Sequence, residues 1–287
     1  MAELRLSPPL PEGRRGPATD LAAKRWGSPS SENKVLAIHG RLDNAASFDG
    51  VGPLFAAAGY ELVALDLPGH GLSPWKADGM YTAATQSASV VQALDALGWE
   101  RCVCLAHSLG TAYATVAVAS FPERFTACIF IEGFAGFGLT YAVDFGAPAD
   151  GEEEDRQVTA APESLRRSLS TGLAAISSEP GTCNPLHHRQ PPQPHFVAEL
   201  GVREPKNYES VAAAVAARTA GKFGMRAAGA EALVRRGGQE DAAGFHFTHD
   251  TRANVSYMLQ VLSEEQACEL MEQVLPPAPS LFTLLRP

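Results

Sequence analysis

The stretch "CVCLAHSLGTAYA", residues 102–114, holds the side chain best suited to nucleophilic chemistry in this chain. An apolar run rich in Val and Cys stops at His107-Ser108, and a stretch of small residues follows. The pattern reads as a strand that delivers Ser108 to a turn feeding a helix. Such a turn is so tight that only small side chains fit two positions either side of the serine. Ala106 and Gly110 stand there; Gly at both places is the usual pattern, and Ala106 adds one methyl where space is scarce. A serine held this way can attack a carbonyl carbon, given a base for its proton and N–H donors for the developing oxyanion.

The donors have candidates. One is the N–H of Leu109, directly after the serine. The other lies in "LAIHGRLDNAASFDGV" (36–51), where Gly40 lets backbone approach a substrate and Arg41 N–H is the candidate. His39 is expected to shape this loop by hydrogen bonding rather than to react. A third stretch, "LDLPGHGLS" (65–73), is a Gly-rich strand end that lacks G-x-x-x-x-G-K and a complete G-x-G-x-x-G. No nucleotide site is expected there. Asp66 and His70 are read as braces.

Five apolar runs bounded by turn residues must position these groups: 35–39, 61–66, 102–107, 127–132 and 280–285. The first four are nearly continuous in apolar character, as parallel strands covered on both faces are. "ELRLSP" and "LAAKRW" near the start are candidates for an antiparallel pair at one edge. Helices are expected over 81–99, with Val90, Val91, Leu94 and Leu97 on one face, and over 110–121, ending before Pro122. Strands alternating with helices of this length imply a parallel sheet with helices on both faces.

After about residue 134 the rhythm changes. "DGEEED" is a solvated acidic turn, and residues 179–196 hold five prolines, which reads as irregular loop. Helical patterns resume at 207–220, 228–238 and 263–275, the last opened by a Ser263/Gln266 capping box. The expected organisation is a core over 1–133, a mainly helical cap over 134–275, and the start of a returning core strand over 276–287.

Composition narrows the function classes. The 32 acidic and 23 basic residues leave a net charge of -9, which argues against nucleic acid as the main partner. No apolar run approaches the roughly 20 residues of a membrane helix, and the first residues lack the apolar core of a secretory signal. Five cysteines without C-x-x-C spacing fit reduced thiols rather than disulfides or zinc. An intracellular protein is expected, cytoplasmic first, with the peroxisome and the oligomeric state left open.

"HGRLDNAASFD", "LDLPGHGLS" and "AHSLG", in this order and spacing, resemble the α/β-hydrolase fold and, within it, the serine hydrolase-like proteins. "GFHFTHDTR" (244–252) is similar to the cap-region segment of that group. The resemblance implies a three-layer sandwich with a mostly parallel sheet and a helical cap insertion. It implies Ser108 as nucleophile, Arg41 and Leu109 as oxyanion donors, no cofactor and no metal, and small ester-like carbonyl substrates. His39, Gly40, His107 and Glu132 then shape the substrate pocket. Arg41 departs from the hydrophobic or aromatic residue more usual at its position, which bears on pocket shape because only its N–H serves the oxyanion.

In this fold the acid follows the strand represented by 280–285 and the histidine follows one further strand. Both loops are therefore expected beyond Pro287, with the final strands of the sheet and much of the activity. Among residues at hand, His107 is disfavoured as base because neighbours on a strand point to opposite faces. Glu132 is the better-placed substitute acid. His187, His188 and His195 lie in the Pro-rich loop, and His246 and His249 in the cap. The competing expectation is a non-catalytic protein of this fold that binds a ligand or partner in the cap cleft.

Overall fold

The computed structural model describes residues 1–7, 20–132, 206–221 and 225–253. Its elements run β1 (Ala2–Leu6), β2 (Leu21–Trp26), β3 (Lys34–Ile38), α1 (Gly52–Ala57), β4 (Glu61–Leu65), α2 (Ala83–Leu97), β5 (Cys102–His107), α3 (Leu109–Ser120) and β6 (Phe125–Ile131). Then follow α4 (Val211–Thr219), α5 (Ala227–Gly237), β7 (Gly238–Asp241) and β8 (Gly244–Phe247). Six strands form one sheet in the order β1-β2-β4-β3-β5-β6. β3, β4, β5 and β6 pair in parallel, while β1 and β2 pair antiparallel at one edge.

The two-residue period of the strands sorts the core into two faces. Leu36, Ile38, Val63, Leu65, Cys104 and Ala106 point to the side covered by α2 and α3, where Val90, Leu94, Tyr113 and Ala117 meet them. Val35, Ala37, Leu62, Ala64 and Leu105 point to the other side, under Trp26, Phe48 and Phe55 of α1. The three described cysteines are free core residues; burial pushes the Cys102 and Cys128 thiols up to about 12. Helix α2 starts where the Thr82 side chain accepts a bond from Thr85 N–H and stops at Gly98, whose φ of 66° suits glycine.

Part of the expected cap is described, and beside its two helices it holds an antiparallel pair of strands that the sequence pattern did not suggest. Helix α5 runs directly into an antiparallel hairpin, β7–β8, closed through Gly244 at a φ of 114°. The hairpin forms because Phe245 turns inward onto Ala214 and Val234 of the two helices. The expected helix at 263–275, the strand at 280–285 and the Pro-rich loop lie outside the described residues.

Candidate active site

The chain leaves β3 toward β4 on one side and returns to β5 on the other, so the loops after β3 and β5 diverge. A crevice opens at the carboxyl ends of strands where the order reverses in this way. Ser108 stands there, between β5 and α3, with φ 50° and ψ −125°. A non-glycine residue in this region costs about 1–3 kcal/mol and persists only where its surroundings over-determine it. They do: Ser108 N–H donates to Ile131 O at 2.9 Å, and Thr111 donates to Ser108 O from N–H at 2.9 Å and Oγ1 at 2.7 Å.

The small residues flanking the serine have steric causes. A Cβ on Gly110 would sit 2.5 Å from His39 O and 2.7 Å from Ile38 O, so α3 crosses β3 only with glycine there. Ala106 is fully buried, in register with Ile38 and Phe130, and its methyl is accommodated in the core.

Gly40 brings the loop after β3 against the serine: a Cβ there would lie 3.1 Å from Ser108 Cβ and 3.0 Å from His107 Nδ1. Arg41 follows, then Leu42 at a φ of 57°. Leu42, Ser108 and Glu132 are the non-glycine residues of positive φ among the described residues, and they follow β3, β5 and β6 at one edge of the sheet. Leu109 opens α3, where the first N–H groups have no carbonyl a turn earlier.

His39 and His70 brace the site. His39 Nδ1–H donates to Gly40 O at 2.8 Å while Nε2 accepts from Leu67 N–H at 3.1 Å, which needs the neutral ring. Burial lowers the His39 imidazole to about 4 and that of His70, 5.0 Å away centroid to centroid, to about 3. Asp66, fully buried, accepts from Ala45 N–H and Leu72 N–H and pairs with Arg236 at 3.0 Å.

His107 departs from expectation. It and Ser108 both border Gly40 rather than opposite faces, because strand alternation ends where Ser108 takes its positive φ. The imidazole lies between two carboxylates, Asp43 Oδ2 at 3.7 Å from Nδ1 and Glu132 Oε2 at 3.6 Å from Nε2. No imidazole is hydrogen-bonded to Ser108 Oγ among the described residues. His246 instead meets the Gln239 side chain across the hairpin, and burial lowers the pKa of His249. His187, His188 and His195 lie outside the described residues.

A family model of the alpha/beta hydrolase fold matches residues 33–179, slightly more than half of the chain. The chain belongs to the α/β-hydrolase fold family. Within it the similarity is to serine hydrolase-like proteins. One from Dictyostelium discoideum is 39% identical over 109 residues, which cover 38% of this chain and 30% of that protein. One from Homo sapiens is 38% identical over 175 residues, covering 57% of this chain and 83% of that protein. The match thus spans under a third of the first relative and most of the second. A solved hypothetical protein from Pseudomonas aeruginosa PAO1 superposes with a TM-score of 0.63 at 28% identity, covering 96% of this chain and 78% of its own.

Sequence reasoning missed the residues that tie this hydrolase-fold site to the cap. Arg218 of α4 donates to Asp43 Oδ1 at 3.1 Å and Leu42 O at 3.0 Å. Asn44 Nδ2 donates to Leu233 O at 3.0 Å, and Arg236 bridges Asp66 and Glu3. The signal available was Asp43-Asn44 in the loop after β3, polar residues too close to a strand end to be idle. Their partners left no mark.

Proposed function

We propose that this protein is a serine hydrolase that cleaves small ester-like carbonyl substrates through an acyl-serine intermediate. The observation that carries the reading is Ser108 in a strained strand-to-helix turn, at the switch point of the sheet and against Gly40. In the proposed reaction Ser108 Oγ attacks the carbonyl carbon, and the N–H groups of Arg41 and Leu109 hold the oxyanion. Collapse of the tetrahedral species expels the alcohol, and water then releases the acid and restores the serine. The serine proton passes to a base assigned outside the described residues. The serine hydrolase-like relatives favour this class by their names.

A second reading, ligand binding in the crevice without turnover, is favoured by the absence of an imidazole on Ser108 Oγ among the described residues. Hydrolysis of p-nitrophenyl acetate and butyrate separates the two. The hydrolase reading predicts turnover that falls at least ~100-fold in Ser108→Ala. Turnover at the same rate in both proteins leaves the binding reading.

A further inference from the structure

The loop after β3 is held from the cap at a point where its geometry bears on the oxyanion. Gly40 C=O accepts from His39 Nδ1–H at 2.8 Å and from Asp43 N–H at 3.2 Å. Because the Gly40–Arg41 peptide is planar and trans, fixing that carbonyl fixes the direction of Arg41 N–H on its opposite side. The Asp43 N–H that completes the arrangement follows Leu42, whose positive φ is the costly part of the turn. One cation holds both: Arg218 Nη2 donates to Leu42 O at 3.0 Å and Nη1 to Asp43 Oδ1 at 3.1 Å. The guanidinium is itself backed by the Phe247 ring of β8, 5.7 Å from its centroid.

We propose that Arg218 is a positioning residue for the oxyanion donor: from the cap helix α4 it clamps Leu42 and Asp43 and thereby aims Arg41 N–H. The proposal rests on the hydrolase reading for its catalytic consequence, whereas the clamp itself is testable without turnover. Arginine suits the task because its planar fork reaches two acceptors at once; lysine retains the charge and reaches them singly. The cap thus contributes to the chemistry through loop geometry, without touching the substrate.

The test compares the parent protein with Arg218→Ala and Arg218→Lys by hydrogen–deuterium exchange and by p-nitrophenyl acetate kinetics. Exchange in peptides covering 40–45 should quicken about tenfold in Arg218→Ala, with peptides over 102–120 unchanged. The value of kcat should fall about 10- to 100-fold while KM stays within about twofold, since only transition-state charge is lost. Arg218→Lys should fall between the two, and it carries the test if Arg218→Ala does not fold. Unchanged loop exchange overturns the clamp. Faster exchange with unchanged kcat, or a rise confined to KM, overturns the positioning role. Faster exchange in a protein whose parent shows no Ser108-dependent turnover upholds the clamp and removes the hydrolase reading instead.

Discussion

The central sheet and the cap segment over 206–253 are joined to the rest of the molecule by different physics. Inside the sheet, Val35 to Ile38 and Leu62 to Leu65 are fully buried, and cohesion comes from apolar area on two faces. The cap has a small apolar cluster of its own, Ala214, Val234 and Phe245, and meets the core through a series of directional polar contacts. Arg236 reaches Asp66 and Glu3, Tyr81 Oη donates to Asp250 at 2.6 Å, Asp250 N–H donates to Gly69 O, and Arg218 reaches Asp43. Apolar packing is tolerant of small displacements; a buried ion pair is not, because each partner strands the other when it moves. The polar joint therefore fixes where the cap segment sits as well as holding it there.

The sharpest break of this comparison is Arg236→Met, which leaves the fully buried Asp66 without its counter-ion. A loss of about 3–5 kcal/mol in urea unfolding is expected. Adding Asp66→Asn should recover part of it. A loss under ~1 kcal/mol would show that the joint is no more demanding than a surface pair.

Acid tests the histidines beneath the joint. Burial keeps His39 and His70 neutral in the folded protein, down to about 4 and about 3, while the unfolded chain protonates them from 6.5. The unfolded state therefore binds more protons below 6.5, so their contribution is complete above that pH and lost as pH falls toward the folded values. Between pH 7 and pH 5 each should cost about 2 kcal/mol, read as a falling urea midpoint. A flat midpoint over this range would mean that the rings are protonated in the native state.

On the sheet side, Gly110→Ala drives a methyl against the His39 and Ile38 carbonyls, backbone that cannot swing away. The expected cost is about 1–3 kcal/mol in thermal unfolding. The smallest effect belongs to the exposed pair beside Arg236. Arg235 and Glu231 meet at 2.8 Å on the solvent side of α5, and Glu231→Gln should change stability by less than ~0.5 kcal/mol. A larger change would remove the contrast between neighbouring arginines.

The same contrast explains what could be read from the chain. The run at 102–107 is the strand observed, because a central strand buried on both faces is apolar almost throughout. Strand β6 begins at Phe125 rather than 127: Phe125 already pairs with Cys102 and is buried, but the polar Thr126 after it breaks the apolar run. The elbow was legible because sterics forbid anything but small residues beside it. The hairpin over 238–247 was not, as "GQEDAAGFHF" lacks a clear alternation and borrows its core from α4 and α5. Arg218 and Asp43 were invisible for another reason. Separated by 175 positions, they look like solvated charges until the fold brings them together.

The proposed chemistry begins with Ser108 as a nucleophile. The direct measurement is covalent labelling of the folded protein with a fluorophosphonate, followed by peptide mass mapping. The expectation is one adduct, on the peptide carrying Ser108, that disappears in Ser108→Ala. An unlabelled Ser108 under conditions that label a control serine hydrolase, or an adduct that persists in Ser108→Ala, would contradict it.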